Sequence, residues 1–390
     1  MAATLPVIDE EPLPPLYAGW LKAALQGPIP REKKATCSEC PMVDATDELS
    51  DNVRFSSLTK CCTFVPHIPN YLVGAVLMAQ EETARGYDSI VDRIAMSVGV
   101  TPLGLNRPPV FDLIYRAGGN KLFGRSPTMR CPHYVDEAGG RCGIWKQRNA
   151  VCTTWFCRHL RGQTGLSFWN AILRLLSQVE QELSVWCCLK MGVEPHLLCH
   201  ALEDPRRDKD DILAEELVSK SPQSHAALWG DWAGREQDFY VGCARLVEPL
   251  EWGDVVSLCG PELRARLGAL QLAHRAVQSQ DLPARLKLSP TRIEQLDGER
   301  VRVVGYRPYD ALILTRAVWL ELFHFNGADT TSVLAALSPT VSAALMNDGL
   351  LQRLVDYRVL TVMEGEPPSV PVSLSQSPPS DHQQPSNTQF

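Results

Sequence analysis

The sequence predicts a mainly α-helical protein with a small β component, in three structured parts. Three observations carry this. Eight of the thirteen cysteines fall between residues 37 and 157. From Ser167 onward, apolar residues recur at steps of three and four. Past residue 300, short β-branched runs alternate with short helical ones. A chain of 390 residues, at roughly 150 residues per domain, is expected to form two or three domains. The boundaries read as a flexible N-terminal arm at 1–36, a cysteine-rich domain at 37–165, a helical region at 166–284, a small α/β domain at 285–363 and a disordered tail at 364–390.

Residues 1–36 are Pro-rich and lack a sustained period, which predicts a loose arm with one short helix near Tyr17–Leu25. The opening MAATLPVIDEEPLPP has neither the basic start nor the apolar core of a signal peptide. No apolar run reaches the roughly 18 residues that span a bilayer. The expectation is a cytoplasmic protein with no membrane partner, whose thiols stay reduced. Within 37–165, Tyr71–Gln80 reads as a short apolar helix. Tyr87–Val98 carries Ile90, Val91, Ile94 and Val98 at helical spacing. This helical lobe, inserted between Cys62 and Cys131, would return distant cysteines to one place.

From Ser167 to Gly192, Phe168, Ile172, Leu175, Leu176, Val179, Leu183 and Trp186 form one apolar stripe, the clearest amphipathic helix in the chain. Gly192 closes it as a C-terminal glycine. Glu203–Glu216 is charged, with a helix expected at Asp211–Val218. Further helices are predicted at Gln237–Val247 and Glu262–Gln278. Arg300–Tyr306 and Ala311–Leu314 read as strands separated by a turn at Pro308. A helix follows at Ala317–Phe325, with Asn326–Gly327 as its cap. A second begins at Thr330 or Thr331 as N-cap, a third runs from Val341 to Tyr357, and Val359–Met363 closes as a strand. Strands, three short helices and a final strand is winged-helix order. The tail from Glu364 is rich in Pro, Ser, Gln and Asn.

The eight N-terminal cysteines are Cys37, Cys40, Cys61, Cys62, Cys131, Cys142, Cys152 and Cys157. Cys37 and Cys40 form a C-x-x-C step, whose short turn lets two thiolates converge on one ion. The others stand near turn formers such as Pro132, Gly140 and Gly143. Thiolates are soft ligands, so the chemistry points to Zn²⁺ or an iron–sulfur cluster. A disulfide framework would need an oxidising compartment. Cys187, Cys188, Cys243 and Cys259 lie in helical patterns and read as buried structural thiols. In an extended chain, Cys61 and Cys62 would point opposite ways and serve two sites or a cluster edge.

The order C-x-x-C, C-C, C, C-x-I-W-x-x-R, C and F-C resembles the YkgJ-like cysteine-cluster family, described as zinc- or iron-chelating. The matching residues are the eight cysteines with Ile144, Trp145, Arg148 and Phe156, over about 120 residues. Asn149 stands where that family usually has Pro, and the interval from C-x-x-C to C-C is long. Flagellin lysine N-methylase shares the layout, so the resemblance implies an iron–sulfur cluster ahead of zinc. It also implies S-adenosylmethionine as a possible cofactor and protein N-methyltransferase as the alternative activity to a metal-binding maturation or adaptor factor. The C-terminal part resembles a PqqD-like winged helix on Tyr309–Leu312, Leu322–Gly327, Thr331–Leu337 and Leu350–Leu360. That resemblance implies a protein or peptide substrate added as a strand beside Arg300–Tyr306.

His67, His133 and His159 each lie within six residues of a cysteine and are further ligand candidates. Arg148 is the best candidate for holding a cofactor or offsetting thiolate charge, ahead of Arg158 and Arg161. Cys199–His200 reads as structural. There is no C-x-x-x-C-x-x-C triple, no G-x-S-x-G, no Walker A loop and no G-x-G-x-x-G after a strand. No catalytic residue is assigned. The net charge of −7, with no basic block, gives no field for nucleic acid.

Overall fold

The computed structural model describes residues 13–32, 37, 40–43, 53–79, 84–118, 121–202, 222–347 and 349–363. The helix expected at Asp211–Val218 and the tail from Glu364 lie outside them. Among the described residues, no helix is long and apolar enough to cross a membrane. The chain is mainly helical with four small antiparallel sheets.

Helix α1 (Pro15–Leu25) starts on Pro15, whose fixed φ suits the first turn. It is no loose arm. Tyr17 and Leu21 are fully buried and Trp20 nearly so, packed into the main core. The short helix expected near Tyr17–Leu25 is present and starts two residues earlier. Next come strand β1 (Ile68–Pro69) and helix α2 (Asn70–Met78), then α3 (Ala84–Ala95), β2 (Val100–Thr101), β3 (Gly104–Leu105) and α4 (Pro109–Gly118). β3 is central, pairing Leu105 with Ile68 on one side and Val100 on the other. α2 is buried almost all round. Gly74 lets it approach the helix that carries Tyr240, because a Cβ there would lie 1.9 Å from the Tyr240 carbonyl.

A hairpin of β4 (Tyr134–Val135) and β5 (Arg141–Cys142) precedes the short helix α5 (Ala150–Thr154). Helix α6 (Gly162–Lys190) is the predicted amphipathic helix, with Phe168, Ile172, Leu175, Leu176, Val179 and Leu183 all fully buried. α7 (Pro195–Leu202), α8 (Pro222–Trp229), α9 (Glu236–Val247) and α10 (Trp252–Gln278) complete the helical part. α10 kinks at Gly260, with φ 72°, ahead of Pro261. One buried cluster runs from Leu13 to Val277, so the cysteine region and the helical middle share a single core.

The C-terminal unit has its own core, from Leu286 to Leu360. Strands β6 (Arg285–Leu288), β7 (Arg292–Gln295), β8 (Arg300–Arg307) and β9 (Asp310–Thr315) precede α11 (Arg316–Glu321). Then come β10 (Asn326–Asp329), α12 (Thr330–Ala336), α13 (Pro339–Asn347), α14 (Leu350–Asp356) and β11 (Leu360–Val362). The strands form two sheets, ordered β7-β8-β9 and β10-β6-β11.

Three expectations are corrected here. β8 is central, because β7 covers the side expected to be open. The N-cap of α12 is Asp329, which accepts from Ser332 N at 2.9 Å, while the Thr330 hydroxyl turns away to the Pro283 carbonyl. The long helix expected at Val341–Tyr357 is two helices, with Gly349 between them in the left-handed region at φ 62°.

Candidate metal centre

The site is built on a tight turn at residues 57–63 that carries Cys61 and Cys62. The adjacent cysteines are not extended. Their thiols hydrogen-bond to each other. The turn is held by Gly124, whose N–H donates to Thr63 Oγ1 at 2.7 Å and whose carbonyl accepts from Ser56 N at 2.7 Å and Thr59 Oγ1 at 3.1 Å. Cys131 reaches the same place because its N–H donates to the Cys62 carbonyl at 2.8 Å. Cys142 follows on the hairpin, in register with Tyr134. Gly143 N donates to the His133 carbonyl at 2.7 Å and closes that hairpin.

The C-x-x-C segment joins through Lys60, which sequence reasoning missed. Its ammonium donates to the carbonyls of Cys37 and Gly140, the latter at 2.7 Å. Lys60 is only 6% exposed, with φ 49°. The one available signal was its place directly before the Cys61–Cys62 pair. Past Cys40, Val43 N donates back to the Cys40 carbonyl and Phe55 N to the Met42 carbonyl. Cys152 is placed by Asn149, whose side chain caps α5 by accepting from Cys152 N at 3.1 Å. The same amide donates to the His67 carbonyl at 3.0 Å. Asn149 is therefore a working cap.

All eight thiols share one electrostatic neighbourhood. A charge on Cys61 is felt by Cys37, Cys40, Cys62, Cys131, Cys152 and Cys157. Cys142 is coupled to Cys37, Cys62, Cys131 and Cys152. Each of these residues is half-buried by surface area. Protein nonetheless surrounds their sulfurs densely enough for desolvation to dominate most of them. Burial pushes Cys37 and Cys131 up to about 11 and Cys142 up to about 12. Burial likewise raises Cys40, Cys152 and Cys157. Cys61 and Cys62 act as a pair. The bond from Cys62 holds Cys61 below the ordinary thiol value and lifts Cys62 well above it, so the first proton leaves Cys61.

Arg148 is the buried cation of the site, 7% exposed. It lies over the Trp145 ring at 3.3 Å and donates to the carbonyls of Trp145 and Cys152 at 3.0 and 3.4 Å. Its charge favours the thiolates of Cys37, Cys61, Cys142 and Cys152. The Trp155 indole N–H favours the Cys157 thiolate, although it meets no full hydrogen bond. Arg158 acts electrostatically on Asp310, and Arg161 pairs with Asp356.

The three histidines are engaged elsewhere to different degrees. His67 Nδ1 is 2.7 Å from Asn106 Oδ1. His133 uses both ring nitrogens, on Ser89 Oγ at 2.8 Å and Arg93 at 3.3 Å. His159 Nε2 is buried and unpartnered. Burial lowers His67 to about 4 and His133 and His159 to about 3, so all three are neutral near pH 7. Cys187, Cys188, Cys243 and Cys259 are buried in helices, as expected. Cys199–His200, expected past a helix end, lies within α7.

The donor chemistry fits a thiolate-bound metal: eight thiols, a buried arginine and a buried lysine in one place. Among the described residues, no three His, Cys, Asp or Glu side chains are placed tightly enough to hold an ion. Comparison of the chain with protein families, curated proteins and solved structures finds no match.

Proposed function

We propose that this protein binds a metal through Cys37, Cys40, Cys61, Cys62, Cys131, Cys142, Cys152 and Cys157, and serves a protein or peptide partner as a maturation or adaptor factor. The observation that carries the reading is that hydrogen bonds from Lys60 to the Cys37 and Gly140 carbonyls and from Cys131 N to the Cys62 carbonyl draw the cysteine-bearing segments together, with Arg148 also buried and favouring four of their thiolates. Eight protonated thiols in a desolvated pocket gain little for the fold. A bound cation removes their protons and repays the desolvation. An iron–sulfur cluster is the first assignment and Zn²⁺ the second. When bound, either supplies cross-links between segments far apart in sequence, and the iron–sulfur form also supplies redox chemistry.

The chain's own residues do the rest. Lys60 and the Cys62–Cys131 backbone bond hold the ligand-bearing turns together. Arg148 lowers the cost of thiolate charge. The C-terminal unit, in the winged-helix reading, offers the partner site. Metal binding by these cysteines needs reduced thiols, which supports a cytoplasmic location.

The test is purification without oxygen, followed by elemental and acid-labile sulfide analysis. Iron with sulfide, or zinc, is expected. Less than about 0.3 metal per chain, with all eight thiols freely titratable, overturns the reading.

A further inference from the structure

The segment that leaves Cys157 is gripped from two sides. Leu160 N donates to Glu32 Oε2 at 2.6 Å, from the N-terminal part. His159 N donates to Asp310 Oδ2 at 2.9 Å, from the C-terminal unit. The Phe156 carbonyl accepts from Arg307 at 3.1 Å and the His159 carbonyl from the Tyr357 hydroxyl at 3.1 Å. Arg161 forms a two-toothed ion pair with Asp356. These bonds to the C-terminal unit fall on residues 156–161, directly around a proposed ligand. Gly162 lets the start of α6 approach the C-terminal unit, since a Cβ there would lie 2.6 Å from the Tyr357 ring and 2.8 Å from the Asp356 carbonyl.

Two further facts bear on what this junction does. The two hydrophobic cores are separate clusters, so the C-terminal unit can part from the rest without opening either. The junction itself is dry: His159 and Asp356 are 2% exposed and Asp310 is 6%. A carboxylate so buried must keep its partners or reach water, because an unpaired buried charge is costly. Docking is therefore close to all-or-none.

We infer that docking of the C-terminal unit and metal loading of the cysteine cluster are coupled through residues 156–161. This rests on the metal-centre reading above. A metal on Cys157 fixes the direction in which the segment leaves the cluster, and that direction presents the His159 amide to Asp310 and Arg161 to Asp356. Loss of the metal frees the segment and releases the unit. By thermodynamic reciprocity, docking strengthens metal binding by the factor by which metal strengthens docking, so undocking weakens metal retention by up to that factor.

The full chain, purified without oxygen, is compared with Asp310→Asn/Asp356→Asn and with Tyr357→Phe. The second variant removes only a hydroxyl and is the milder one for folding. Metal is assayed in each, then its retention against EDTA, and hydrogen exchange is read at residues 306–310 and 354–357. Coupling predicts faster exchange there in the variants and in stripped wild type, with Val303 and Leu312 still protected. It also predicts metal retention at least about fivefold weaker in the double variant. Stripped wild type that stays docked, variants that stay docked, or undocked variants with unchanged retention overturn the coupling alone. Absence of metal from the purified wild type overturns the metal-centre reading and the coupling with it.

Discussion

The backbone N–H of Cys131 donates to the carbonyl of Cys62 at 2.8 Å. That one bond closes the helical lobe and brings the second half of the cysteine set onto the Cys61–Cys62 turn. In the proposed metal-bound form, ligation would add to the few hydrogen bonds, worth about 1 kcal/mol each, that hold these turns together. Replacing both Cys61→Ala and Cys62→Ala is expected to abolish metal binding and hydrogen-exchange protection across 53–160. Residues 285–363, with their own core, should keep theirs. Unchanged protection across 53–160 would refute the role of the pair.

Lys60→Met separates the tether from the ligands. It keeps all eight thiols but leaves the carbonyls of Cys37 and Gly140 without their shared donor. Both bonds involve a charged donor in a buried position, so a loss of about 3 kcal/mol is expected in urea unfolding. Cys37 should also label faster with a thiol reagent than in wild type. A loss under about 0.5 kcal/mol would mean that water replaces the ammonium at no cost.

The elements that were legible in the sequence are those whose burial is periodic and local. α6 reads directly from Phe168 to Leu183, and the β8–β9 hairpin reads from its β-branched run and Pro308. β6 did not, because Leu286 is its only fully buried residue and Arg285 and Lys287 flank it. α1 was read from Tyr17–Leu25, but the burial of its Tyr17, Trp20 and Leu21 face was not. The eight cysteines were legible as a set, since thiols in turn contexts have few other uses. Their supports were not. Lys60, Glu32 and Asp310 are charged residues, and nothing in a linear pattern marks a charge that the fold will bury. The split of the last long helix turned on one left-handed residue, Gly349.

The sheet order sets the third expectation. Val303 is fully buried and pairs with Ile293 on one side and Leu312 on the other. Val303→Pro removes an amide from a central strand and forces its φ. It should cost at least about 3 kcal/mol and unfold residues 285–363 rather than merely block an edge. Circular dichroism and hydrogen exchange of that unit report it. A folded variant with normal protection would show that β8 is not central.

Glu180 sets a pH dependence. It is buried on α6 and accepts from Tyr17 Oη at 2.5 Å and from Ala150 N at 2.6 Å, both on Oε1. Burial raises its carboxyl from 4.5 to about 7, with those two bonds pulling only partly the other way. Tyr17 and Tyr71 are the neighbouring titratable groups, and both are themselves held protonated well above their ordinary value, chiefly by burial. Between about 4.5 and about 7 the folded protein carries a proton that the unfolded chain has released. Stability from this site is therefore full at low pH and falls as pH rises through that window. At 1.36 kcal/mol per unit the fall is roughly 3 kcal/mol. Glu180→Gln keeps an oxygen that can accept both bonds and carries no charge. The variant should match wild type near pH 4.5 and be more stable at pH 8. The difference between the two unfolding free energies should grow across the window and then level. Parallel curves for wild type and variant from pH 4.5 to 8 would mean that Glu180 ionises in the folded protein as easily as in water.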